Sequence, residues 1–139
     1  MKVICKDVKD TLALGKQLGN HLKSGDVVSL RGNLGAGKTV LAKGIALSLD
    51  ITEPIVSPTF TLVQEYDGKM KMFHIDLYRI SGDEEFEMMG GEEFLYSSGI
   101  CLIEWSEKIQ DMLPKNTIYV NITINKDQSR EIEIKGVDF

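Results

Sequence analysis

The chain alternates between short apolar runs and stretches with helical spacing. "VIC", Val3 to Cys5, suits a short strand. "DTLALGKQLGNHL" sets Leu14, Leu18 and Leu22 on one helical face, with Asp10 or Thr11 as the N-cap. After a "KSGD" turn, Val27, Val28 and Leu30 form a compact apolar run that predicts a buried strand. Val40, Leu41, Ile45 and Leu49 then return to helical spacing. "LDITEPIVSP" carries two prolines and reads as a loop. "TFTLVQEYDGKMKMFHID" is β-rich, with a hairpin signal at Asp67-Gly68. "GDEEFEMMGGEEFLYSSG" predicts two short helical turns broken at Gly90-Gly91. "ICLIEW" is a second apolar strand, and "WSEKIQDML" is a short helix closed by Pro114. "TIYVNITI" and "REIEIK" form a final hairpin around "NKDQS". Strand-helix-strand order mixed with hairpins predicts an α/β fold, with a mixed parallel and antiparallel sheet flanked by helices. No repeat, linker or low-complexity stretch interrupts the 139 residues, so a single domain over residues 1–139 is expected.

Between the first buried strand and the second helix stands "GNLGAGKT". Gly32, Gly37, Lys38 and Thr39 fit G-x-x-x-x-G-K-[ST], the P-loop pattern of a nucleoside triphosphatase. Glycines let such a loop turn successive N–H groups inward around phosphates, and the following helix aims its positive end at the same anion. Lys38 would reach the β- and γ-phosphates, and the Thr39 hydroxyl would bind Mg2+. Strand, loop and helix follow in the order the motif requires. The nucleotide-binding residues expected here are Gly32, Asn33, Leu34, Gly35, Ala36, Gly37, Lys38, Thr39 and Val40.

A P-loop also needs a carboxylate to organise Mg2+ or water, usually at the end of an apolar strand beside the P-loop strand. "ICLIEW" delivers Glu104, and "MFHIDLYR" delivers Asp76. For both, the plainer reading is an exposed acid just past a strand. "SPTFT", Ser57 to Thr61, lies where P-loop switches place a γ-phosphate sensor, although Ser-Pro also opens ordinary turns. His74, between Phe73 and Ile75, reads as structural. Trp105 suits packing as well as nucleotide contact, and Tyr78 and Arg79 either reach the site or cap their strand.

Composition narrows the partners. The net charge of −5 and the lack of a dense basic run argue against autonomous nucleic-acid binding. No apolar run suits a membrane span, no secretory pattern opens the chain, and Cys5 and Cys101 fall in apolar segments as buried free thiols. A cytoplasmic location is expected. Of the arginines, Arg31 precedes the loop and points away, Arg130 sits in a distant hairpin, and Arg79 is the one internal candidate for a transferred phosphoryl group. A GTPase would need N-K-x-D; "NKDQ", Asn125 to Gln128, puts its aspartate one residue early. A small-molecule kinase would need an acceptor pocket and an arginine-bearing lid, for which little chain is left. A nucleotide-sensing adaptor without useful hydrolysis shares most of the same residues.

"GNLGAGKT", "SPTFTLVQEY", "FHIDLYR" and "CLIEWSEK", in that order, closely resemble the bacterial TsaE (YjeE) P-loop ATPases over nearly the whole chain. The resemblance implies a part in making threonylcarbamoyladenosine, a modified tRNA base beside the anticodon. It implies ATP and Mg2+ as cofactors and TsaD and TsaB as partners. Transfer of the threonylcarbamoyl group would be left to TsaD, and tRNA would be met only through the partners. By position it implies that Lys38 and the loop hold phosphates and that Thr39 and Glu104 serve Mg2+. Asp76 would be catalytic or water-ordering beside Glu104 and Lys38, Thr59 would belong to the switch-like loop, and Thr11 would lie near the adenine. The acidic segment from Gly82 to Phe94 offers charge with exposed Met and Phe for a partner.

Overall fold

In the computed structural model, residues 1–33, 35–58 and 62–139 are described. The strands are β1 (Lys2–Cys5), β2 (Val27–Gly32), β3 (Val63–Tyr66), β4 (Met72–Asp76), β5 (Ile100–Glu104), β6 (Ile118–Ile124) and β7 (Arg130–Lys135). They form one sheet in the order β1-β7-β6-β2-β5-β4-β3. β6, β2, β5 and β4 run parallel to one another, and the outer pairings, β3 on β4, β7 on β6 and β1 on β7, are antiparallel. The expected mixed sheet is therefore present. β4 and β5 are buried along their whole length, which is why they read as unbroken apolar runs.

Side chains alternate between the two faces. Val28, Leu30, Met72, Ile100 and Leu102 meet α1 (Val8–Asn20) and α2 (Lys38–Ser48). Phe73, Ile75, Cys101 and Ile103 meet the opposite layer. That layer holds α3 (Asp83–Met88), α4 (Gly91–Leu95) and a 3-10 segment, Ser106–Met112, kinked at Ile109. The helices α1 and α2 pack backbone to backbone. A Cβ on Gly44 would lie 2.4 Å from the Leu12 carbonyl oxygen and 2.8 Å from the Gly15 Cα. Among the described residues no helix is long and apolar enough to cross a membrane.

Two expectations change. The first helix starts earlier than expected and is capped by Asp7, not by Asp10 or Thr11. Asp7 is extended, its carboxylate accepts the Asp10 N–H at 2.9 Å, and the Asp10 carboxylate accepts the Lys6 N–H at 3.0 Å. The acidic segment forms the two short helices expected, but neither of its phenylalanines is fully exposed. Phe86 is fully buried, because helical spacing turns it inward, and Phe94 packs on Phe73 at 5.1 Å. Met88 is exposed, as expected.

Candidate functional site

The loop after β2 ends at Gly37, whose φ of 108° is a left-handed conformation that other residues rarely adopt. That turn starts α2 at Lys38. The N-terminus of α1 is capped by Asp7, but among the described residues no side chain caps that of α2. Its first turn opens on a cavity of about 730 Å3 lined by Asn33, Lys38, Thr39, Asp76, Glu104 and Trp105, among others. Such an end is suited to an anion.

Parallel register brings the carboxylates there. β5 lies between β2 and β4, with Leu30 opposite Glu104 and Glu104 opposite Asp76. Asp76 is 4% exposed, and its carboxylate accepts the Tyr78 N–H at 2.8 Å. Glu104 is 5% exposed. Its Oε1 lies 3.4 Å from Lys38 Nζ, and its Oε2 lies 2.7 Å from His74 Nε2. Burial pushes the Glu104 carboxyl up. The His74 hydrogen bond and ring, and then the Lys38 ammonium, outweigh burial and hold it below the usual carboxylate range. The carboxylate is therefore ionised and aimed at the lysine.

Past Glu104 the backbone enters the left-handed region at Trp105, φ 60°. The turn sets the indole beside the cavity, 5.6 Å below Lys38 Nζ and 5.1 Å from the Tyr78 ring. The next residue is anchored: the Ser106 hydroxyl bonds the buried Ser29 hydroxyl, and Arg31 Nε donates to both. Arg31 thus faces away from the cavity, as expected.

Thr11 sits elsewhere. It is 3% exposed and lines a second cavity of about 400 Å3. Gly35, Gly37 and Val40 line both cavities, so the loop arches between them. Ala36 belongs to the second cavity, and Gly32 and Asn33 lie at the loop's entry. Leu34 and Thr59 lie outside the described residues.

Arg130 corrects the sequence reading. Its hairpin is remote in sequence but not in space: Nε donates to the Ala36 carbonyl at 3.0 Å and Nη2 to the Gly35 carbonyl at 3.3 Å, while Nη1 bonds the Gln128 carbonyl. The pairing of β6 with both β2 and β7 carries it there. His74 is the other residue the sequence undervalued. The alternation of β4 puts it on the face shared with Asp76, and that parity was the available signal. The Asn125–Gln128 stretch is a turn closed by the Gln128 N–H on the Asn125 carbonyl, so it forms a hairpin end and not a guanine-reading loop.

The chain is similar to known proteins over most of its length. The family model described as threonylcarbamoyl adenosine biosynthesis protein TsaE matches residues 5–132. A tRNA threonylcarbamoyladenosine biosynthesis protein TsaE from Treponema pallidum is 40% identical over 96% of this chain and 99% of its own. The TsaE of Bacillus subtilis is 40% identical over 93% and 81%, and that of Haemophilus influenzae is 46% identical over 82% and 72%. The crystal structure of YdiB from Bacillus subtilis superposes with a TM-score of 0.83 at 35% identity, over 95% of this chain and 82% of that one. The family model, the extended identity and the structural match agree, and the chain belongs to the TsaE family.

Proposed function

We propose that this chain binds ATP with Mg2+ and hydrolyses it as a component of tRNA threonylcarbamoyladenosine biosynthesis. It would work in the cytoplasm with TsaD and TsaB and leave transfer of the threonylcarbamoyl group to TsaD. The observation that carries the reading is the uncapped N-terminus of α2 facing Lys38 and Glu104 in one cavity.

The donor set fits Mg2+. The Thr39 hydroxyl and the Glu104 carboxylate are hard oxygen donors lining the same cavity. Among the described residues no three His, Cys, Asp or Glu gather to hold a metal on their own. A shared ion, completed by phosphate oxygens, is what two protein oxygens allow. When bound, Mg2+ would neutralise charge on the β- and γ-phosphate oxygens.

The protein groups then have distinct tasks. The α2 N–H groups and Lys38 bind the polyphosphate. Glu104, held ionised, keeps the metal side of the cavity negative. Asp76, at the end of β4, orders the attacking water. The second cavity, reached across Gly35 and Gly37 and bordered by Thr11, receives the adenine. Arg31 faces away, Arg130 is committed to loop carbonyls, and Arg79, the sequence candidate, is exposed and does not line the cavity, so beyond Lys38 the described residues lend the transferred group little cationic support. Hydrolysis is therefore expected to be slow alone and faster with TsaB and TsaD.

Calorimetry with ATP tests the reading. Lys38→Ala removes a charge-assisted contact of about 1.5–3 kcal/mol, or roughly tenfold to a hundredfold in Kd. Asp76→Ala should bind like the parent but release phosphate more slowly. An unchanged Kd for Lys38→Ala refutes the phosphate site.

A further inference from the structure

His74 is fully buried on the sheet face that also carries Met72 and Asp76. Its Nε2 lies 2.7 Å from Glu104 Oε2. Its Nδ1 is buried and has no hydrogen-bond partner among the described residues. As a packing element this is a poor choice. A buried ring nitrogen without a partner costs free energy that an apolar side chain of similar volume would not. The position therefore makes most sense through the one bond the ring does form.

That bond settles the geometry of Glu104. A carboxylate has about four acceptor positions. Oε2 is occupied from the β4 side by His74, and Oε1 is turned to Lys38 and the cavity. Since Nε2 faces a carboxylate, it carries a proton. With one oxygen tethered, the carboxylate cannot rotate freely about its last bond, and the other oxygen stays presented to the cavity.

We propose that His74 is the positioning residue for Glu104, tethering one carboxylate oxygen so that the other is held ready for a divalent cation. The inference rests on the reading of Glu104 as the Mg2+-organising acid. His74 touches neither nucleotide nor metal. It acts as the outer partner of a ligand, a class of contact whose loss typically weakens metal binding by about 10–100-fold.

The test measures ADP affinity of the full chain with and without Mg2+ and takes the ratio as the tightening due to metal. His74→Leu should keep the metal-free affinity within about twofold and lose about tenfold or more of the tightening. His74→Gln should restore most of it, because its amide nitrogen stands about as far from the backbone as Nε2. His74→Asn, with a shorter reach, should not. The Gln and Asn pair carries the same contrast at constant polarity if the leucine variant fails to fold, and equal tightening in these two overturns the proposal. So does full tightening in His74→Leu. Glu104→Gln separates the two levels. If it keeps the tightening, the reading of Glu104 fails. If it loses the tightening while His74→Leu keeps it, only the role of His74 fails.

Discussion

Arg130→Ala should loosen the loop between β2 and α2 from 94 residues away. The guanidinium spans two consecutive loop carbonyls, Ala36 at 3.0 Å and Gly35 at 3.3 Å. Hydrogen bonds from a charged donor contribute about 1.5–3 kcal/mol each. Gly35 is exposed, its bond is long, and its carbonyl can turn to water, so the shorter bond to Ala36 dominates. Ala36 is only 1% exposed, so its carbonyl has little access to a substitute donor. A loop freed at one or two residues must also be frozen again by its ligand, at about 1–2 kcal/mol per residue. Part of that loss appears as stability, and about 2 kcal/mol should appear in binding, a Kd raised roughly thirtyfold. Calorimetry with ATP and Mg2+ reads it directly, and Arg130→Lys is the informative companion. An ammonium is a point charge that cannot bridge two carbonyls in a fixed fork, so lysine should recover only part of the loss. A Kd for Arg130→Ala within twofold of the parent refutes the clamp. Full recovery by lysine would show that charge alone matters.

Gly44→Ala gains about 1 kcal/mol of helix propensity but forces a Cβ to 2.4 Å from the Leu12 carbonyl, where only backbone can give way. Overpacking costs of about 1–3 kcal/mol leave a net loss of up to about 2 kcal/mol, so a Tm lower by up to roughly 8 °C is expected, and a raised Tm in calorimetric scans would contradict the tight α1–α2 contact. Glu104 titrates below its reference of 4.5 in the folded chain, so its contribution to stability is present above pH 4.5 and fades as pH falls through the lowered folded-state value. Urea midpoints followed into acid should therefore fall less steeply for Glu104→Gln than for the parent. Burial pushes the Cys101 thiol up to about 12, and Cys5 is raised and buried as well. Mass spectrometry after iodoacetamide at pH 8 should find neither alkylated in the folded chain and both alkylated in denaturant.

Local features were legible in the sequence and cross-chain ones were not. The loop glycines, the Asp67-Gly68 hairpin and the apolar runs before Asp76 and Glu104 are statements about neighbouring residues, and each lies where the sequence put it. The two acids could be tied to the P-loop because a parallel sheet sends successive strand ends to one edge. Arg130 carried no such marker: its reach depends on β6 being hydrogen-bonded to both β2 and β7, a pairing that no window of sequence states. His74 was misjudged for a related reason. Its parity with Asp76 along β4 was visible, but its value comes from Glu104 on the adjacent strand. The N-cap was misplaced because three residues able to cap, Asp7, Asp10 and Thr11, stand within five positions, and only the extended backbone at Asp7 decides among them. Leu34 and Thr59, outside the described residues, stay as sequence expectations.

The position of β2 has a consequence for how the molecule is made. Its neighbours come late in the chain: Val27 pairs with Cys101, and Val28 pairs with Ile118. At synthesis rates of roughly 5–20 residues per second, the strand leading into the loop waits on the order of ten seconds for both flanks. During that time "VVSL" is an apolar segment with both edges open, a hazard for association with other chains. The helices α1 and α2 can meet early, since they are close in sequence. Arg130, which ties down the loop, is translated after every other strand has begun. The candidate site is thus among the last parts of the molecule to take shape, and a chain stalled before residue 130 would carry the whole P-loop motif without the clamp that holds it.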